Sequence, residues 1–126
     1  MMDDEYRVIS SEDFDDASVD LSRNGTVFRY CDFTGLMRDG GAIDATFIGG
    51  SFKECDFYWT LFNICLFVDM SFERCIFRGV SFPGCRFLNC RFIDCSFVAD
   101  SFGGLCSFEE TRWYDTEFQG CSGAPA

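Results

Sequence analysis

The sequence predicts an all-β solenoid, and three observations predict it. From Phe52 to Phe97 every fifth residue is phenylalanine: Phe52, Phe57, Phe62, Phe67, Phe72, Phe77, Phe82, Phe87, Phe92 and Phe97. Two residues before most of these rings stands a small or compact residue, as at Cys55, Thr60, Cys65, Cys75, Val80, Cys85, Cys90 and Cys95. The positions between and after them carry polar groups such as Lys53, Asp56, Glu73, Arg74, Arg78 and Arg91.

A period of five suits neither a helix nor an uninterrupted strand. On an α-helix each five-residue step turns by about 140°, which spreads the rings around the cylinder. On a strand an odd step puts them on alternating faces. The period works when the chain turns a corner every five residues, so that stacked coils return the same side chain inward. Within one extended segment, residues two apart share a face. Each repeat therefore sends one ring and one small residue inside. Met70 and Asp100 are the departures at the small position. Asp100 is read as an inward carboxylate that requires a hydrogen-bond partner.

Written out, the repeats are Cys55-Asp56-Phe57, Cys75-Ile76-Phe77, Cys85-Arg86-Phe87 and Cys95-Ser96-Phe97. This pattern resembles the pentapeptide-repeat family, whose loose consensus is a small residue, a polar residue, Leu or Phe, and two variable positions. The match runs unbroken from Ala45 to Phe102, twelve repeats. It resumes at Cys106-Ser107-Phe108, Thr111-Arg112-Trp113 and Thr116-Glu117-Phe118, with weaker pieces at Thr26-Val27-Phe28 and Cys31-Asp32-Phe33. The resemblance implies a right-handed quadrilateral β-helix with four five-residue repeats, or twenty residues, per coil.

The phase of the repeat divides the chain. Residues 1–25 hold eight acids and two arginines. They are read as an acidic N-terminal cap or a degenerate first coil, with Ile9, Phe14 and Val19 five apart. Residues 26–121 form the β-helix, and 122–126 a flexible tail. Phe102 to Phe108 spans six residues, which places one inserted residue within Gly103-Gly104-Leu105. A second slip, between Phe33 and Phe47, falls on Leu36-Met37-Arg38-Asp39-Gly40-Gly41. That stretch is read as an exposed loop or a distorted side.

Several function classes are excluded by composition. The net charge of −11 lacks the basic footprint of a nucleic-acid binder, so no direct nucleic-acid contact is expected. No apolar run is long enough for a membrane span. No charged-then-apolar leader is present, which together with an odd nine cysteines points to a cytoplasmic protein with reduced thiols. All nine cysteines fall at the small inward position, and none lies closer than five residues to another. Metal sites use shorter pairs, so no metal and no cofactor is expected. At twenty residues per coil, Cys55, Cys75 and Cys95 stack in one column, and Cys65, Cys85 and Cys106 in another. There is no histidine, which removes the usual general base. A filled solenoid offers no cleft for a substrate. No catalytic residues and no enzyme activity are expected.

The outer faces carry the functional reading. The side centred on Phe47, Phe67 and Phe87 turns Thr46, Ile48, Leu66, Val68, Arg86 and Leu88 outward, mostly apolar. Tyr58, Trp59, Leu61 and Ile64 are expected at nearby corners. Ile48, Tyr58, Trp59, Leu66, Val68 and Leu88 are therefore the candidate partner-binding residues, for another protein or a second copy. Glu109, Glu110, Asp115 and Glu117 form an alternative acidic surface. The resemblance implies two roles. Small relatives occur as immunity proteins, and the acidity suits neutralising a basic bacterial toxin. The quinolone-resistance relatives imitate DNA and inhibit a topoisomerase, gyrase. Arg74, Arg78, Arg86 and Arg91 interrupt any continuous acidic stripe here, so a protein-binding module leads and DNA mimicry follows.

Overall fold

One residue in the left-handed region turns each corner, and this lets a Phe return inward every five residues. In the computed structural model, which describes residues 7–15, 21 and 25–125, Glu54, Trp59, Asp69, Arg74, Asn89 and Asp94 take φ between 53° and 57°. Such a conformation costs an L-residue about 1–2 kcal/mol. Ladder bonds hold it: the Glu54 N–H donates to Glu73 O at 2.8 Å, and the Trp59 N–H to Arg78 O at 3.0 Å.

Four parallel sheets result, one per side. Side one stacks Arg7–Ser10, Thr26–Arg29, Ala45–Ile48, Leu66–Val68, Arg86–Leu88 and Arg112–Tyr114. Side two stacks Asp13–Phe14, Asp32–Thr34, Ser51–Lys53, Ser71–Glu73, Arg91–Ile93 and Glu117–Gln119. Side three holds Met37–Asp39, Asp56–Tyr58, Ile76–Arg78 and Ser96–Val98. Side four pairs Ala42–Ile43 with Leu61–Phe62 and continues through bridges at Ser81 and Ser107. The register pairs Phe47 with Phe67 and Phe67 with Phe87, twenty residues per coil.

The core is a set of ring columns. Phe67 and Phe87 stack at 4.6 Å and 4°, and Phe72 and Phe92 at 4.3 Å and 3°. Rings on adjacent sides meet edge to face, as Phe67 and Phe72 do at 5.5 Å and 65°. Both arrangements suit the aromatic quadrupole. From Phe47 to Phe97 the rings are buried.

Two sequence expectations are corrected. The stretch from Leu36 to Gly41 is neither a loop nor a distorted side. Met37–Asp39 pairs in register with Asp56–Tyr58, so Arg38 stands opposite Phe57, and Ile43 stands opposite Phe62. The slip lies later, where the step from Ile43 to Phe47 is four residues instead of five. Inside, buried Leu36 fills the position that is small elsewhere, while the ring position holds half-buried Arg38.

The second correction concerns Phe102, which is not the centre of a twelfth repeat but is 81% exposed. The chain passes from Phe97 on side three to Phe108 on side four, where Phe108 stacks on Phe82 at 5.3 Å and 4°. Residues 99–105 leave the coil as a loop. The insertion is longer than one residue because Asp100 cannot occupy the dry small position without a large desolvation cost.

At the N-terminal end Arg7–Ser10 pairs with Thr26–Arg29, and Ile9 and Phe14 pack on the core. Val19 and the acids at 3–5, 16 and 20 lie outside the described residues. At the other end the ladder reaches into the stretch read as a tail. Ser122 bridges Ser96, its N–H donates to Cys95 O at 3.1 Å, and Ala124 packs partly on the core. Among the described residues no helix is long and apolar enough to cross a membrane.

Candidate functional site

Side one presents the apolar face. Ile48, Val68 and Leu88 are register partners on successive strands, and Thr46, Leu66 and Arg86 form the parallel outer row. All are half-exposed except Arg86, which is exposed. The face extends to Val27 and exposed Val8 on one end and exposed Tyr114 on the other. Ile64 stands at the corner leading into this side. It is 68% exposed and has φ 52°. A β-branched residue is an outlier in the left-handed region, and so exposed a side chain gains little packing there.

Tyr58 and Trp59 do not join this face. Tyr58 lies on side three, opposite side one, and Trp59 turns the next corner. Leu61 points outward from side four. The two aromatics hold the 99–105 loop instead. The Tyr58 hydroxyl donates to Ser101 Oγ at 2.8 Å and accepts from the Ser101 N–H at 3.1 Å. The Trp59 indole donates to Asp100 Oδ2 at 2.5 Å and its ring stacks on Phe102 at 5.6 Å and 16°. Asp100 Oδ1 accepts from the N–H groups of Phe102 and Gly104, both at 2.8 Å. Asp100 is therefore not an inward residue. Its carboxylate knots the loop from outside, and the Trp59 and Gly104 hydrogen bonds hold it below the usual carboxylate range. Gly79 lies beneath: a methyl group there would fall 2.8 Å from Asp100 Oδ2.

The candidate acids divide into two pairs. Glu109 and Glu110 sit at the corner between sides four and one. Asp115 sits at the next corner and Glu117 on side two. The latter two border an open hollow of about 510 Å³ with Asp69, Ser71, Asn89 and Arg91. Within it the Asn89 amide donates to Asp69 at 2.7 Å.

The small inward residues do more than fill space. Each thiol donates to the carbonyl of the inward residue on the preceding side, one coil below; that residue is Phe except for Ile9 under Cys31 and Ile43 under Cys65. Cys75 reaches Phe52 O at 3.3 Å, Cys85 Phe62 O at 3.1 Å, Cys90 Phe67 O at 3.5 Å and Cys95 Phe72 O at 3.3 Å. Thr111 and Thr116 repeat this with hydroxyls, on Phe82 O at 2.6 Å and Phe87 O at 3.2 Å. The loop insertion reassigns one column. Cys106 donates to Phe77 O and belongs to side four, so Thr111 takes the place above Cys85. Cys121, with its sulfur 3.4 Å from the Cys95 nitrogen, extends the column of Cys55, Cys75 and Cys95. All nine thiols are free. Burial pushes Cys90 up to about 11, and raises Cys31, Cys106 and Cys121. Cys75 is raised by its thiol neighbours Cys55 and Cys95 and then by burial. Among the described residues no three potential ligands cluster as a metal site.

No protein-family model matches the sequence, and no curated protein is similar to it. Solved structures are. A trypsin-treated form of QnrB1, a plasmid-mediated fluoroquinolone resistance protein, superposes with a TM-score of 0.56 at 19% identity, covering 92% of this chain and 67% of that one. The pentapeptide-repeat protein Rfr23 of the cyanobacterium Cyanothece 51142 aligns at a TM-score of 0.43 and 9% identity, over 91% of this chain and 63% of that one. The chain thus spans about two thirds of the length of these neighbours. Likeness and topology agree on the fold, a right-handed quadrilateral β-helix of the pentapeptide-repeat type.

Proposed function

We propose that this chain is a non-catalytic binding module that docks another protein on side one. The observation that carries the reading is the row Ile48, Val68 and Leu88, three apolar residues in register on a flat parallel sheet. Rows about 4.8 Å apart merge scattered sequence positions into one patch, and contiguous apolar patches mark interaction sites. Ile64, exposed and strained beside it, supports the same face. The packed interior leaves the chemistry on the outside, which supports binding over catalysis. The partner that suits a chain of net charge −11 is basic, such as a toxin that this protein neutralises in a reducing cytoplasm. Its charge would guide encounter, and the apolar row would set lifetime.

The test replaces Val68 and Leu88 together by Glu. Both point outward, so the protein stays folded, and its partner is no longer captured in a pull-down from the native host. Capture equal to wild type refutes side one as the docking face.

A second reading is a DNA-mimic inhibitor of a topoisomerase. It draws on Asp69, Asp115 and Glu117 around one hollow, and on the fluoroquinolone-resistance protein among the structural neighbours. Inhibition of supercoiling that disappears when Asp115 and Glu117 become Asn and Gln, yet survives the Val68/Leu88 change, makes this reading the correct one.

A further inference from the structure

Side three carries a knob and a hollow next to each other. The knob is the 99–105 loop, whose Phe102 and Leu105 are 81% and 77% exposed, more than any other large apolar residue described. Its shape is fixed in advance by the three hydrogen bonds on the Asp100 carboxylate and the two on the Tyr58 hydroxyl. A main-chain pair, Asp100 N–H to Gly104 O at 2.8 Å, closes it. An apolar tip held this firmly is preorganised to insert, since little ordering entropy remains to be lost. The hollow, of about 240 Å³, is lined by Met37, Arg38, Asp39, Asp56, Tyr58 and Arg78. Cavities of about 150 Å³ accept a benzene ring. Tyr58 belongs to both features: its ring walls the hollow and its hydroxyl holds the loop.

We propose that side three is a two-fold interface on which Phe102 of one copy enters the hollow of a second copy, and the reverse. A knob and a hole on one face meet the requirement of an isologous contact, in which patch i meets patch j and j meets i. The lining chemistry suits a ring. Guanidinium groups of Arg38 and Arg78 can lie over an aromatic face, and the Met37 sulfur at its edge. Charge also selects this face. Two copies of a chain of net −11 repel overall, whereas the hollow is lined by two arginines and two aspartates, with Arg78 and Asp56 paired at 3.4 Å. The hollow that receives the ring is thus locally neutral, a place where two acidic copies can meet. Side one, by contrast, is a flat row without a matching projection.

The test is sedimentation of wild type and four variants over a concentration series up to about 1 mM. Wild type is expected as a monomer–dimer equilibrium. Phe102→Asp removes the knob and Met37→Trp fills the hollow; both residues are exposed, so both proteins stay folded, and each is expected as a monomer. An equimolar mixture of Phe102→Ala and Met37→Trp retains one intact hole and one intact knob. It should self-associate about tenfold more tightly than either variant alone. A wild type that is monomeric throughout, a dimer unaffected by Phe102→Asp, or a mixture that stays monomeric each overturns the proposal. Loss of the dimer in the Val68/Leu88 double variant assigns self-association to side one and overturns it too. Loss of partner capture there, with the dimer intact, leaves the two proposals separately standing.

Discussion

The thioether of Met70 lies over Gly50, whose backbone N–H points at the sulfur from 3.1 Å. The two residues hold the small inward position of side two in successive coils, two residues before Phe72 and Phe52. Gly50 has no side chain, so the longest occupant of this position fits above the shortest, and Met70 is buried. Met70→Ala should cost about 2–5 kcal/mol, since nothing at Gly50 expands into the cavity. Gly50→Ala should cost about 1–3 kcal/mol for a different reason: its methyl would strike the carbonyl oxygen of Cys31. Denaturant unfolding of both single variants and the double one checks this. Rescue of Gly50→Ala by Met70→Ala would show that the crowding comes from Met70.

Phe77 is fully buried between Phe57 at 5.6 Å and Phe97 at 4.9 Å, both stacked on it. Phe77→Ala removes two stacked contacts as well as apolar area, and is expected to lose about 3–5 kcal/mol. Unfolding curves that coincide with wild type contradict the ring-column core.

The thiols give a pH signature. Cys106 and Cys121 are half-buried and the other seven buried. In the folded protein a thiol reagent should label these two first, and all nine only after unfolding. Burial raises the folded pKa of Cys90 to about 11, from an ordinary 9.0. A raised thiol favours the folded state fully below the ordinary range, and that contribution fades as pH climbs from about 9 toward 11. Stability measured across this interval should fall, and Cys90→Thr, copying Thr116 in the same column, should flatten part of the fall.

Asp100→Ala should free the 99–105 loop while leaving the coil intact. Limited proteolysis is expected to cut there in the variant and not in wild type. The carboxylate titrates below its ordinary 3.8. A depressed carboxylate gives its stabilisation in full above the ordinary value and loses it as pH falls further. Cleavage of wild type by an acid protease should therefore appear only on the acid side of that range. Uniform resistance of Asp100→Ala at neutral pH counts against the knot.

Ile64→Asn should raise stability by about 1 kcal/mol, because Asn tolerates the left-handed region better than a β-branched residue. On the side-one reading the same change weakens partner binding. A variant that is both more stable and fully active shows that Ile64 serves no contact.

Periodicity made the central coils readable without coordinates. From Phe47 to Phe97 the five-residue step put every ring inside, and the register of Ile48, Val68 and Leu88 followed once the resemblance supplied four repeats per coil. Where the pattern misled, it did so by matching too well. Asp100-Ser101-Phe102 has the right spacing, yet a carboxylate at a dry position was the sign that the coil had ended. Arg38 and Ile43 continue the step from Phe33 and were hidden because an arginine at a ring position reads as a break. Tyr58 and Trp59 were misplaced by half a coil, since spacing gives the side of a residue only once its corners are counted. Their part in holding the loop depends on a fold-back of more than forty residues in sequence, which no local pattern contains.

Rings on rings and thiols on thiols at twenty-residue intervals make the middle coils interchangeable. A strand docked one coil early would still bury Phe against Phe and still offer a thiol to a corner carbonyl. A strictly uniform sequence would thus hold several alignments of nearly equal energy, and a chain adding rungs one at a time could settle in any of them. The irregular places remove that degeneracy. Met70 fits only above Gly50, Leu36 and Arg38 exchange the usual sizes, the step from Ile43 to Phe47 is short, and Trp59 finds Asp100 only when the loop descends across Gly79. They act as index marks on a ruler, so defects in the repeat are what give each coil an address.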